Sequence, residues 1–107
     1  MAEQQFAELY RDDNTKAARS IFVEIKDGLV TFVQQDTGPL CEEMYRDSDY
    51  ERVIFNLPAA QLKSAFGAKT DNELFALLRR DYSTSDAFDR FLSYLYDNHL
   101  KYDYYSG

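Results

Sequence analysis

Apolar and polar residues alternate most regularly from Ser20 to Gln34, SIFVEIKDGLVTFVQ, on either side of Asp27-Gly28. The two flanking runs, rich in Ile, Val, Phe and Thr, predict strands. Asp-Gly predicts the turn between them, because a type I′ turn places both central residues at positive φ, which Gly accepts freely and Asp tolerates. A loop of these two residues alone sets the register. Lys26 then faces Leu29, Ile25 faces Val30, Glu24 faces Thr31, Val23 faces Phe32 and Phe22 faces Val33. One face carries Ile21, Val23, Ile25, Val30 and Phe32; the other mixes Phe22, Leu29 and Val33 with Glu24, Lys26 and Thr31. An isolated hairpin is marginal in water, so more strands and a helical cover are expected.

Before the hairpin, Phe6, Leu9 and Tyr10 recur at helical spacing among good helix formers, which predicts a short N-terminal helix over Ala2 to Tyr10, ended by Asp12-Asp13-Asn14. After it, Asp36-Thr37-Gly38-Pro39 is a turn. Leu40 to Arg46 fits a helical turn or a strand. The strand reading is preferred, because with Asp47-Ser48-Asp49 as a turn and Arg52 to Leu57 as the next strand it completes a four-stranded antiparallel meander. Val53, Phe55 and Leu57 are then expected on one face.

From Pro58 the period becomes helical. Pro58 suits a first turn and Gly67 the position after a last one, giving a helix over Ala59 to Phe66 that buries Leu62, Ala65 and Phe66. Thr70 and Glu73 match a capping box for a second helix to about Tyr82, with Leu74, Phe75, Leu77 and Leu78 as its apolar stripe. Ser83-Thr84-Ser85 breaks it. A third, Asp86 to His99, places Phe88, Phe91, Leu92 and Leu95 on one face. Leu100 to Gly107 is a flexible tail or an edge strand. Strands first and helices after imply an α+β fold: an antiparallel, three- to four-stranded β-meander with C-terminal helices packed on one face and a short N-terminal helix. The 107 residues suit one domain.

Composition narrows the function. An apolar fraction of 45% with 16% aromatics is that of a chain that folds. Cys41 is the one cysteine, so no intrachain disulfide or cysteine-only zinc site can form, and a reducing, cytoplasmic setting is expected. No apolar run is long enough for a membrane span, and no secretory signal opens the chain. Nineteen acidic against twelve basic residues give a net charge of −7, which disfavours direct nucleic-acid binding and favours basic partners.

Catalytic chemistry finds little support. His99, the one imidazole, sits at the predicted end of a helix, where it favours the dipole whatever else it does. Cys41 lies beside Glu42 and Glu43, the opposite of the cationic setting that makes a thiolate. Asp47, Asp49 and Glu51 are spaced like calcium ligands, but the glycine and distal glutamate of the full loop are missing. Neither a phosphate loop nor HExxH occurs. An enzyme is not expected, nor a cofactor or metal.

Two regions point to protein binding. The segment from Asp36 to Glu51 holds six acidic residues, Asp36, Glu42, Glu43, Asp47, Asp49 and Glu51, against Arg46, and Tyr45 and Tyr50 flank its turn. Carboxylates steer a basic partner while tyrosines supply contact area at low entropic cost. The second region is the C-terminal end, with Tyr94, Tyr96, Tyr102, Tyr104 and Tyr105. Tyr94 and Tyr96, two apart on a helix, cannot both face the core, so an exposed aromatic is expected there. The expected role is to occlude a basic, nucleic-acid-binding surface on another protein. In size and charge, though in no motif, this is similar to phage and plasmid inhibitors of CRISPR and restriction defences. An immunity protein against a nuclease toxin and a homodimeric assembly protein are the alternatives.

Overall fold

A computed structural model describes residues 5–13, 18–37 and 49–107. The elements are β1 (Gln5–Asp12), β2 (Ala18–Lys26), β3 (Leu29–Thr37), β4 (Asp49–Pro58), α1 (Ala59–Phe66), α2 (Asp71–Asp81), α3 (Ala87–Asp97) and β5 (Asp103–Ser106). The fold is α+β. A five-stranded antiparallel sheet runs β1-β2-β3-β4-β5, and among the described residues the three helices are inserted between β4 and β5.

The central hairpin follows its turn chemistry. Asp27 and Gly28 take φ of 53° and 76°. All five pairs from Lys26↔Leu29 to Phe22↔Val33 form as predicted. Ile21, Val23, Ile25, Val30 and Phe32 are buried on one face, under Leu62, Leu74, Leu78, Phe88, Phe91 and Leu95 of the helices. The Phe32 ring stacks on Phe91 at 4.3 Å and meets Phe88 at 5.9 Å.

The N-terminal segment corrects the expected helix: it is β1, paired antiparallel with β2. Its register shifts between Glu8 and Tyr10, which makes Leu9 the extra residue of a bulge; Ala7 and Leu9 are buried, and Tyr10, now opposite Ile21, packs against the core as well. A bulge interrupts the two-residue period, so Phe6, Leu9 and Tyr10 looked helical. Pairing with the open edge of β2 outweighed a weak local propensity. The preferred strand over Leu40 to Arg46 lies outside the described residues.

A second bulge corrects β4. Val30 pairs with Leu57 but Phe32 with Ile54, and Asn56 adopts φ 55°. Asn is among the few residues that enter this region readily. Ile54 and Leu57 therefore share the buried face, while Val53 and Phe55 turn away from it.

The helices keep their expected bounds to within two residues. Gly67 ends α1 at φ 72°, and α1 buries Ala59 and Leu62 with Phe66 half-buried, whereas the expected Ala65 is exposed. At α2 the Thr70 hydroxyl accepts the Glu73 N–H at 3.1 Å, while the Glu73 carboxylate caps the Lys69 N–H at 2.7 Å, one residue earlier than a capping box requires. After α3, His99 sits at φ 57°. Its N–H reaches the Tyr96 carbonyl at 3.2 Å and that of Leu100 the Leu95 carbonyl at 3.0 Å, the two bonds of a Schellman motif.

His99 thus occupies a position suited to glycine. His99→Gly is expected to stabilise the fold by about 0.5 kcal/mol, because relief of left-handed strain exceeds the added entropy of the unfolded chain. Thermal unfolding checks it: a melting temperature a few degrees higher is expected, and a lower one would mean the imidazole holds the chain by its own contacts.

Candidate protein-interaction surface

β5 organises this surface. It pairs with β4 through Arg52↔Ser106, Val53↔Tyr105, Ile54↔Tyr104 and Phe55↔Asp103, and all four of its residues are exposed. The ladder extends one step further, since Glu51 and Gly107 exchange N–H to carbonyl bonds at 2.9 and 3.2 Å. The C-terminal tyrosines are thereby set beside the end of the acidic segment. A cleft of about 400 Å³ marks the junction, lined by Gln35, Asp36, Thr37, Tyr50, Glu51 and Gly107.

The acidic residues there fare differently. Asp36 is turned toward the helix side and is 8% exposed. Arg19 grips it with two bonds of 2.7 and 3.0 Å, Gln34 adds a third at 3.3 Å, and Arg19 also donates to the Ser85 carbonyl at 2.9 Å. Asp36 is therefore an internal anchor between β2, β3 and the turn before α3, and the expectation that it faces a partner is corrected accordingly. Glu51 accepts from Gln35 at 2.8 Å at the surface, and Tyr50 is half-buried beside it. Asp49 opens β4 opposite Thr37. Glu42, Glu43, Tyr45 and Asp47 lie outside the described residues.

The tyrosines divide between the two faces of β5. Tyr105, paired with Val53, faces away from the helices, and Tyr104, paired with Ile54, faces them. The Tyr104 hydroxyl accepts from Arg52 at 3.0 Å; Arg52 lies over the Phe88 ring at 4.4 Å and pairs with Asp89 at 2.7 Å. Burial works against the Arg52 charge, but hydrogen bonds to Tyr104 and Asp89 outweigh it, and the pKa is raised. At the start of α3, the Thr84 hydroxyl and then Arg90 hold the Asp86 carboxyl below its usual range.

On α3, Tyr94 and Tyr96 diverge as helical geometry demands. Tyr94 meets Phe66 edge-on at 5.1 Å, and burial raises its phenol pKa. Tyr96 is 74% exposed. Together with Leu92, Ser93, Asp97, Tyr102 and Tyr104 it lines a groove of about 410 Å³ between α3 and β5.

The face of the sheet opposite the described helices holds, beside Tyr105, residues that sequence reasoning did not assign to a site. Phe22, Val33, Val53 and Tyr105 form one continuous cross-strand row. Phe6, 56% exposed, packs on Phe22 with ring centroids 5.2 Å apart. The β4 bulge hid the extension of this row beyond the hairpin, since the Asn56 conformation brings Val53 and Phe55 to that side; an Asn within an otherwise apolar strand was the available signal. Among the described residues no helix is long and apolar enough to cross a membrane. No family model, curated protein or solved structure matches the chain.

Proposed function

We propose that this chain is a small acidic, non-enzymatic binding protein that inhibits a partner by occluding the basic surface with which that partner holds nucleic acid. An inhibitor of phage or plasmid origin directed against a CRISPR or restriction defence is the specific form this takes. The observation that carries the reading is the β4–β5 register, which sets Gly107 opposite Glu51 and places Tyr105 and Tyr104 opposite Val53 and Ile54, further along the same strand. The end of the acidic segment at Glu51 and the tyrosine-bearing tail, distant in sequence, thus share one ladder, and the net charge of −7 supplies long-range attraction to a basic partner.

The test is capture from host lysate at low salt with the natural chain and with Glu42→Lys, Glu43→Lys, Asp47→Lys and Asp49→Lys combined. A nucleic-acid-handling protein is expected on the natural chain, displaced by added duplex or RNA, and retained about tenfold less by the folded variant, because charge reversal removes both steering and pairing. Equal retention by both, or indifference to added nucleic acid, would sink the occlusion reading. Self-association is the second reading, favoured by the exposed β5 edge and the aromatic row beside it. Sedimentation at rising concentration separates a dimer from a monomer.

A further inference from the structure

The groove between α3 and β5 combines features that surface clefts seldom hold together. Tyr96, Tyr102 and Tyr104 supply aromatic walls, Leu92 an apolar patch, and Asp97 a carboxylate. Tyr96 projects its ring into solvent at 74% exposure, although an aromatic of that size ordinarily finds cover. Asp97 forms no ion pair among the described residues, in contrast to Asp86 and Asp89 on the same helix, which pair with Arg90 and Arg52.

The chain itself shows which chemistry fits such a setting. Arg52 fills a site of the same makeup next to the groove: a ring beneath the guanidinium (Phe88, 4.4 Å), a phenol accepting from it (Tyr104, 3.0 Å) and a carboxylate alongside (Asp89, 2.7 Å). Tyr104 belongs to both that site and the groove wall. Arg90 repeats the stacking, 5.0 Å from the Tyr82 ring.

We infer that the groove receives an arginine side chain from the partner, with the guanidinium stacked on Tyr96 and paired with Asp97. This rests on the binding-protein reading and names one of its contacts. Arginine is specified over lysine because its planar, weakly hydrated cation stacks on rings and still offers donors at its edge, whereas an ammonium is a compact, strongly hydrated charge. The acidity of the whole chain draws either cation near; the groove distinguishes them.

The test uses nona-arginine and nona-lysine peptides titrated at low and physiological salt into the natural chain, Tyr96→Ala, Tyr96→Phe and Asp97→Asn. Both positions are exposed on a helix surface, so the variants are expected to fold. The natural chain should bind nona-arginine several-fold more tightly than nona-lysine. Tyr96→Ala and Asp97→Asn should each lower arginine affinity about fivefold while Tyr96→Phe retains it, because the ring face and not the hydroxyl does the stacking. Equal affinity for the two peptides, no binding of either, or an arginine preference untouched by Tyr96→Ala would overturn the assignment. The lysate capture described above is independent: arginine selectivity without a displaceable nucleic-acid-binding partner leaves the groove standing and removes the occlusion reading, and the reverse removes only the groove.

Discussion

Phe32→Ala is expected to lower the stability of the fold by about 3–5 kcal/mol, the largest effect of any single change considered. Phe32 is fully buried at the middle of β3, between Val23 of β2 and Ile54 of β4, and its ring stacks on Phe91 while touching Phe88. Truncation removes the transfer free energy of the ring and leaves a cavity that two neighbouring aromatics, fixed on α3, cannot collapse to fill. Domains of this size are stable by only about 5–15 kcal/mol, so a loss of this size removes a large share of the total. Urea unfolding measures it, with a lowered midpoint and an unchanged slope. Phe6→Ala, on the open face, is the control and should cost less than about 1 kcal/mol, as exposed positions do. A Phe32→Ala cost as small as that of the control would mean that α3 does not seal the sheet as described.

Arg19→Met comes second, with an expected loss of about 2–3 kcal/mol. The substitution keeps much of the stem but withdraws the guanidinium that holds the buried Asp36 carboxylate at 2.7 Å. Arg19 is about one-third exposed, so water can reach the vacated side, and the cost falls to or below the roughly 3 kcal/mol at which fully buried broken pairs begin. Asp36→Asn should lose less, since a neutral amide needs no counter-charge. The cycle of Arg19→Met, Asp36→Asn and the double variant isolates the pair, with a coupling of about 1–2 kcal/mol expected. A coupling near zero would reduce this pair to an ordinary surface contact.

The legible parts of the fold were those with local punctuation. Asp27-Gly28 fixed the hairpin and hence the row pairing Phe22 with Val33, and Pro58, Gly67 and Thr70 bounded the first two helices by terminal chemistry that acts within a few residues. What stayed hidden depended on pairing across distance. Leu9 and Asn56 each insert one residue into a ladder, and each reverses which side chains meet the core beyond it. The tail from Leu100 to Gly107 read equally as an edge strand or a free end; its pairing depends on how far α1 to α3 carry the chain before it returns to β4. At the candidate site, residue types were readable, but orientation only where helix geometry dictated it. Tyr94 and Tyr96 diverge by helix geometry alone, whereas the burial of Asp36 depends on Arg19, which lies across the strand pair from it.

The order in which strands emerge during synthesis has a consequence of its own. β4 leaves the ribosome before the three helices and meets β5 only after all of them, so throughout that interval its outer backbone groups stand without a strand beside them. Any extended segment nearby, including β4 of a neighbouring nascent chain, competes for that edge. Rapid translation from crowded messages should therefore yield more aggregate than slow translation of the same amount of protein, and β5 acts as the late-arriving stopper that ends the competition.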